Sequence, residues 1–378
     1  MSSSHELYKR IICTLGPLVS VSNLKQLSNW VWISVGIIQA NSVNLGQIAT
    51  HIPVGSRMAE SRVATLRRWL KNPRIEVWEF YRPLLENILN GWHAVEAVVI
   101  LDGVQVFGNR LQIFRLSLRH GNRAIPLVWT VLPGNGLTQV EKLEAMLTCV
   151  AAFLQGRVKR IRFLADAGFR DCDWAELCLK LGWHYNIRLP YSTIVWLENG
   201  IRCRIDELAV KPGQRRYFQN VDFTAQAKLR ANLSVTWSPG DDGNEPELVA
   251  VMSNETACRQ RLTEYGWRMC IEQSFRDDQS SGFDLEHTRL KHPERLERLL
   301  LALAIATVWC HELGEQVLAK GDACRREIDP GPKRELSLFQ LGLRWLKRCV
   351  STAMQRLSKF HAELSPLRLP PVMKSSNS

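Results

Sequence analysis

The chain has 378 residues, 46% of them apolar and 23% charged. That is the composition of a globular chain of two or three domains, and it excludes a wholly disordered one. Lys and Arg number 49 against 37 Asp and Glu, a net charge of +12, which favours a polyanionic partner or an anionic membrane surface.

The surplus sits at the two ends. Residues 1–95 hold ten Lys/Arg and five Glu, residues 318–378 hold twelve Lys/Arg and five acids, and residues 96–317 balance at 27 against 27. Solvated helix faces would give this pattern, and so would two ends that grip a polyphosphate around a centre with another task. The opening MSSSHELYKR lacks the basic, apolar and small-residue order of a signal peptide. The first 95 residues read as helical. Leu24, Leu27, Trp30, Val31 and Ile38 fall at helical spacings, a break follows at Asn41-Ser42, and Leu45, Ile48 and Ala49 suggest a short helix that Pro53 stops. Val54-Gly55 turns the chain, and Ser56 can cap a second helix running to Lys71. That helix carries Arg57, Arg62, Arg67 and Arg68 opposite an apolar stripe of Val63, Leu66 and Trp69–Leu70. Helix, tight turn and basic helix are compatible with a helix-turn-helix DNA reader, as with many other small helical domains.

From residue 96 the texture changes. Ala97–Leu101 reads as a buried strand ending at Asp102-Gly103, followed by strands over Leu111–Leu118 and Ala124–Leu132 in hairpin order. A helix over Val140–Leu154, a strand over Arg160–Ala165 ending at Asp166, a helix over Trp174–Leu181 and a strand over His184–Leu189 complete a mixed α/β pattern. Residues 191–254 read as a β-rich insertion. A hairpin turns at Asn199-Gly200, and Asn232–Trp237 and Leu248–Met252 bracket a long loop, Ser238–Glu247. Helix returns from about Cys258 to about Gln279. The longest apolar run, Leu299–Trp309, has eleven residues, short of the roughly 18 a spanning helix needs, so it reads as a buried helix within Glu294–Gln316. A basic amphipathic helix over Leu336–Phe360 and a frayed Pro- and Ser-rich tail, Leu364–Ser378, close the chain. The ten cysteines form no C-x-x-C pair and no His clusters near them, which argues for reduced cytoplasmic thiols rather than a zinc site or disulfides.

Asp102 and Asp166 each stand where an apolar strand is expected to stop, at a sheet edge where loops open; Asp also merely starts turns. Tyr265, Arg268, Glu272, Arg276 and Gln279 lie 3, 7, 11 and 14 residues beyond the first of them, and at roughly 100° per residue all five fall within an arc of about 80° on one helix face. Asp277 and Asp278 lie off that face. An exposed helix laced with i,i+4 pairs such as Arg268–Glu272 and Glu272–Arg276 would show the same spacing. Cleaving and joining a phosphodiester calls for an activated oxygen nucleophile and a stabilised leaving oxygen, which two Mg²⁺ ions about 4 Å apart supply. Mg²⁺ prefers carboxylate oxygens and borrows its other ligands from water and substrate phosphate, so Asp102, Asp166 and Glu272 are the candidate catalytic and metal-binding residues. Arg and Tyr on the same helix can hold neighbouring phosphates.

This pattern resembles the DDE transposases of bacterial insertion sequences, in the branch related to insertion sequence four. That branch has the signature Tyr-x2-Arg-x3-Glu-x6-Lys; Tyr265, Arg268 and Glu272 match it, and Gln279 stands at the Lys position. VVILDGV around Asp102 and FLADAGFRD around Asp166 resemble the two aspartate motifs, with Val104 where many relatives have Thr. The resemblance spans about residues 96–315 and implies a ribonuclease-H-like core, over 96–190 and 255–315, interrupted by the β-rich insertion over 191–254. It implies a helical, basic DNA-binding domain over 1–95 and a basic C-terminal region over 316–378. It further implies cut-and-paste transposition: nicking at terminal inverted repeats, hairpin formation and strand transfer to target DNA. Two Mg²⁺ ions (or Mn²⁺), a homodimer holding two double-stranded DNA ends, and a place in the bacterial cytoplasm on the nucleoid follow from it. Tyr265, Arg268, Arg276 and Gln279, with Arg57, Arg62, Arg67 and Arg68, are then the expected DNA contacts. Relatives stack a flipped base on a Trp of the insertion, for which Trp196 and Trp237 are candidates beside ordinary strand packing. A catalytically inactive DNA-binding protein derived from a transposase, or a nuclease of the same fold, are the alternatives.

Overall fold

The computed structural model describes residues 2–366 apart from 21–23, 54–56, 94–95, 135–139, 170–171, 224–228 and 239–245. Five helices come first: α1 (Ser3–Leu18), α2 (Leu24–Ala40), α3 (Leu45–His51), α4 (Ala59–Lys71) and α5 (Val77–Ile88). In α2 every residue from Trp30 to Ile38 is buried, so this helix is enclosed on all sides. It stops at Asn41, which adopts the left-handed conformation at φ 50°, one that Asn tolerates better than most residues. Asn44 caps α3 by accepting hydrogen bonds from the Gly46 and Gln47 amides, at 2.9 and 3.4 Å. The second helix starts at Ala59, and the expected Val54-Gly55 turn and Ser56 cap lie outside the described residues. In α4 Leu66, Trp69 and Leu70 point inward while Arg67 and Arg68 stay exposed.

The sheet begins with an antiparallel meander, β1 (Glu96–Val106), β2 (Leu111–His120) and β3 (Arg123–Pro133). The helix α6 (Val140–Leu154) then crosses over to β4 (Arg160–Ala165), which lies parallel to β1, and α7 (Cys172–Lys180) leads to β5 (His184–Leu189), parallel to β4. Both faces of these central strands are covered, which is why they read as unbroken apolar runs. Five more strands extend the same sheet: β6 (Ile194–Trp196), β7 (Arg202–Arg204), β8 (Arg215–Phe223), β9 (Leu229–Ser238) and β10 (Glu247–Ser253). The order is β3-β2-β1-β4-β5-β10-β9-β8-β6-β7, with β10 antiparallel to β5 through Ala250↔Leu189. Strand β8 has no clear alternation to read. Its pairing with β9 slips between Phe218 and Val221, where Asn220 has φ 51°, and such a bulge destroys the two-residue period. Most of the expected loop between β9 and β10 lies outside the described residues.

The expected single helix over Cys258–Gln279 is two helices, α8 (Arg259–Gly266) and α9 (Met269–Asp278). Between them the amides of Trp267, Arg268, Cys270 and Ile271 each bond three residues back, so the chain stays right-handed but winds tighter than an α-helix. The helices α10 (Pro293–Ala319), α11 (Asp322–Arg326) and α12 (Leu338–Thr352) follow, α12 ending eight residues before the expected Phe360. No helix among the described residues is long and apolar enough to cross a membrane.

One apolar core runs from Leu7 to Leu364. The N-terminal helices join it directly: the Trp30 indole N–H and the Ser34 hydroxyl donate to the carbonyls of Leu301 and Ala302 in α10, at 3.0 and 2.9 Å. After α12 the chain returns to the start of the molecule. The Asn87 amide donates to the carbonyls of His361 and Ala362, and Trp92 donates to that of Leu364. Leu364 is buried; residues 367–378 of the expected frayed tail lie outside the described residues. Helices α10 and α12 cross at two glycines. A Cβ on Gly342 would lie 1.7 Å from the Cys310 carbonyl oxygen, and one on Gly314 would lie 2.1 Å from that of Leu338.

Gly342→Ala therefore forces two backbones apart, and the expected loss is about 1–3 kcal/mol or more. Gly266→Ala, whose Cβ would meet nothing within 4 Å, serves as the matched control and should unfold at the wild-type urea midpoint or above it. Equal midpoints for the two variants would mean that the crossing is looser than the glycines indicate.

Candidate active site

Strands β1 and β4 are parallel neighbours whose last paired residues are Leu101 and Ala165. Asp102 and Asp166 follow at equivalent positions. Asp166 stands just past the end of β4, as expected. Asp102 does not end its strand: β1 continues to Val106 because β2 goes on pairing with it, Asp102 lying opposite Arg115. Only the β4 side of β1 falls away there, and that opens the corner. Gly103 donates its amide to Asp102 Oδ1 at 2.8 Å, and a Cβ at this position would lie 2.9 Å from the Phe114 ring.

The tight turn between α8 and α9 brings Arg268 to this corner. Its Nη1 donates to Asp102 Oδ2 at 3.0 Å, its Nη2 to Glu272 Oε1 at 2.5 Å, and its Nε to the Tyr265 hydroxyl at 3.1 Å. Tyr265 in turn donates to Asp166 Oδ1 at 3.1 Å. The three carboxylates chosen from the sequence thus share one hydrogen-bonded network through two side chains of the same signature. Arg188 of β5, which sequence reasoning missed, sits 4.0 Å from Asp166 and also pairs with Glu247. Burial raises the Asp102 carboxyl to about 6, against the pull of Arg268 and of the Gly103 amide. Burial likewise pushes the Tyr265 phenol up. It works against the Arg268 charge, but Tyr265, Asp166, Asp102 and Glu272 together hold that guanidinium above its ordinary value.

A second set of buried contacts fixes α9 on the sheet. Ile271 and Phe275 pack on Val98, Ile100 and Leu164. The Ser274 hydroxyl accepts from the Ala124 amide and donates back to its carbonyl, at 2.8 and 2.9 Å. Asp277 and Asp278, expected off the site face, are buried there and pair with Arg123 at 2.5 Å and Arg115 at 2.6 Å. Such pairs add little net stability but are costly to break singly, so they specify one seating of the helix.

The other expected contacts lie elsewhere. Of the two expected i,i+4 pairs only Arg268–Glu272 forms. Arg276 is exposed one turn beyond Glu272. Gln279 is not on the helix face: α9 ends at Asp278, and Gln279 leaves the helix at φ −88°, ψ −131°. Arg62 donates to the carbonyls of Ile52 and Arg57, at 3.3 and 3.2 Å, joining the ends of α3 and α4. Arg57, Arg67 and Arg68 are exposed, Arg68 donating to Thr65 Oγ1 at 3.0 Å. Trp237 donates its indole N–H to the Val210 carbonyl at 2.6 Å, and Trp196 lies under the Arg202 guanidinium, 5.6 Å from it.

Among the described residues no three His, Cys, Asp or Glu side chains are arranged to enclose an ion, and the Arg268 guanidinium bridges Asp102 and Glu272. The donors at the corner are all carboxylate oxygens, the chemistry that suits a hard divalent cation.

Residues 138–309 match the family described as "Transposase DDE domain". That span contains Asp166, Tyr265, Arg268 and Glu272 and begins after Asp102. No curated protein matches the chain. Among solved structures, that of the piggyBac transposase synaptic complex with hairpin DNA is 10% identical over 93% of this chain and 78% of that one, with a TM-score of 0.44. The Argonaute of Marinitoga piezophila in complex with guide RNA and target DNA is 12% identical over 58% and 30%, with a TM-score of 0.23.

Arg268→Ala strips the half-buried Asp102 of its counter-charge, and the expected cost at neutral pH is about 2–4 kcal/mol. Adding Asp102→Asn should recover most of it. A carboxyl whose folded pKa is raised destabilises the fold only where it is ionised, and losing Arg268 lifts the Asp102 pKa beyond its wild-type value of about 6, so the Arg268→Ala deficit should shrink as the pH falls toward about 6 and be small below it. Urea unfolding between pH 4 and pH 8 reads both effects. A deficit that ignores pH and the second substitution would show that Arg268 does not compensate Asp102.

Proposed function

We propose that the chain is a DNA transposase of the insertion-sequence-four-like kind, acting by cut and paste at terminal inverted repeats. The observation that carries the reading is the meeting of Asp102, Asp166 and Glu272 through Arg268 and Tyr265, in a chain matched by the transposase DDE domain over residues 138–309. The strand order β3-β2-β1-β4-β5 with β4 and β5 parallel to β1 supports a ribonuclease-H-like core over 96–190 and 255–315, with residues 191–254 as its insertion.

In this reading Asp102, Asp166 and Glu272 would hold two divalent cations, Mg²⁺ or Mn²⁺, which would supply an activated oxygen nucleophile and charge stabilisation at the leaving oxygen. Asp102, held by burial at a pKa of about 6, is predominantly ionised at neutral pH and available as a ligand. Tyr265 keeps its proton and orients Asp166. Arg268 balances the carboxylates at rest and is the nearest fixed donor for a non-bridging phosphate oxygen. At each step an oxygen nucleophile, first water and then a freed 3′ hydroxyl, forms a bond to phosphorus while the opposite P–O bond breaks. This gives the nick, then the hairpin, then after reopening the joint to target DNA. Arg276 and the exposed Arg57, Arg67 and Arg68 contact the duplex, Arg62 ties the end of α3 to the start of α4, and Gln279 contributes an uncharged donor. Two copies of the chain hold two ends.

Asp102→Asn, Asp166→Asn and Glu272→Gln should each reduce Mg²⁺-dependent nicking and strand transfer to background while end binding stays within a few-fold of wild type. Labelled duplexes bearing the element's inverted repeats, run on denaturing gels, measure both steps. Cutting without joining by the wild type would identify a nuclease of the same fold. Binding without cutting would identify an inactive relative that occupies the ends.

A further inference from the structure

An open cleft of about 490 Å³ lies between the N-terminal helices and the segment that leads into α10. Arg67 of α4 lines one wall, and Thr288, Arg289, Lys291 and Arg295 line the other. The walls are fixed to each other. The Val43 amide donates to the Phe283 carbonyl at 2.9 Å, and Arg298 donates to the carbonyls of Leu70 and Ile75 at 3.0 and 3.1 Å. Among the described residues no carboxylate lines the cleft. Glu294 lies 3.9 Å from Arg295 and from His292. Arg67, Arg289 and Lys291 are exposed and make no ion pair among the described residues. Like charges gathered this way repel one another unless an anion joins them. Two further atoms make no hydrogen bond: Thr288 Oγ1, on a residue only 5% exposed, and Arg295 Nε, whose ion pair with Glu294 is as long as 3.9 Å. A buried hydroxyl left without a hydrogen bond is costly, and such groups mark places where a ligand or water belongs. Arg289 is held in the left-handed conformation at φ 55°, a strain that a non-glycine residue accepts where its side chain must be aimed. The positive end of α10, a 27-residue helix, opens beside it.

We propose that this cleft seats the phosphodiester backbone of the bound DNA, with Arg67, Arg289, Lys291 and Arg295 on phosphate oxygens and Thr288 donating to one of them. The proposal rests on the transposase reading and extends the DNA track from α4 to the segment that follows the Glu272 helix. Backbone contacts carry no sequence information, so a duplex of arbitrary sequence tests it. The full chain is titrated against a fluorescein-labelled duplex of about 30 base pairs across a salt series. Arg289→Ala/Lys291→Ala should flatten the slope of log K against log salt by about 1.8, so that a rise from about 50 to about 200 mM salt costs the variant about twelvefold less than wild type. Lys291→Arg in place of Lys291→Ala should restore about half of that slope. Thr288→Val, which removes a hydrogen bond and no charge, should weaken binding about three- to tenfold at unchanged slope. Lys159→Ala/Lys180→Ala removes equal charge next to the opposite ends of β4 and β5 and should leave the slope as it was.

Wild-type slope in Arg289→Ala/Lys291→Ala, with melting curves unchanged, would overturn the cleft while leaving the transposase reading intact. An equal loss in the Lys159/Lys180 pair would overturn it too, by showing that only net charge is felt. Calorimetric binding of tripolyphosphate that depends on Arg289 and Lys291, beside a duplex slope that does not, would assign the cleft to a free polyphosphate instead. No salt-dependent duplex binding by the wild type at all would remove the transposase reading itself.

Discussion

Three carboxylates drawn to one corner of a sheet repel one another, and in this chain the Arg268 guanidinium holds them. It spans Asp102 on β1 and Glu272 on α9 and reaches Asp166 through the Tyr265 hydroxyl. A planar fork with five donors can do this and a lysine cannot, because Asp102, Glu272 and the Tyr265 phenol are each met by a different nitrogen along fixed directions. The arrangement is partly buried, so its charges are worth more than at the surface and a missing member costs more. Asp102 records the tension: burial lifts its pKa even with a guanidinium beside it.

The bridge works only if α9 is seated to a fraction of an ångström, and the rest of the domain is arranged to seat it. Arg115 and Arg123 project from β2 and β3 and hold Asp278 and Asp277 at the helix's far end. Gln340 of α12 donates to Asp277 as well, at 3.2 Å, and Gly282 permits a close approach to the Asp277 carbonyl. The chain leaving α9 is in turn tied to the turn between α2 and α3 through Phe283. Carboxylate corner, helical layer and cleft are therefore one mechanical unit.

The site was legible where its geometry is local. Tyr265, Arg268 and Glu272 lie within eight residues of one another, and helical spacing alone brings them to one side even though the chain winds tighter at Trp267-Arg268 than an ideal helix. Gln279 failed the same test because the helix ends one residue earlier, in a turn that spacing does not reveal. The apolar run ending at Leu101 marked where β1 loses its parallel neighbour, not where the strand stops, since hydrophobicity reports burial and β2 continues to supply hydrogen bonds. The anchors at Asp277 and Asp278 were invisible: Arg123 is 154 residues away from its partner, and nothing in a sequence distinguishes an acid that will meet a distant arginine from one that will meet water. Strand β8 was hidden by its bulge at Asn220.

The route of the chain through its core has a consequence for synthesis. Helix α2 is made among the first forty residues, yet part of the surface that encloses it belongs to α10, some 270 residues later, through Trp30–Leu301 and Ser34–Ala302. The last described stretch, around Leu357, then closes over Arg10 of α1. Until α10 leaves the ribosome, α2 is covered only by its neighbours among the N-terminal helices, such as α1 and α3, and contacts of such wide sequence separation form late. An interrupted or prematurely terminated copy therefore exposes one of the most apolar helices of the molecule and becomes a substrate for chaperones and proteases.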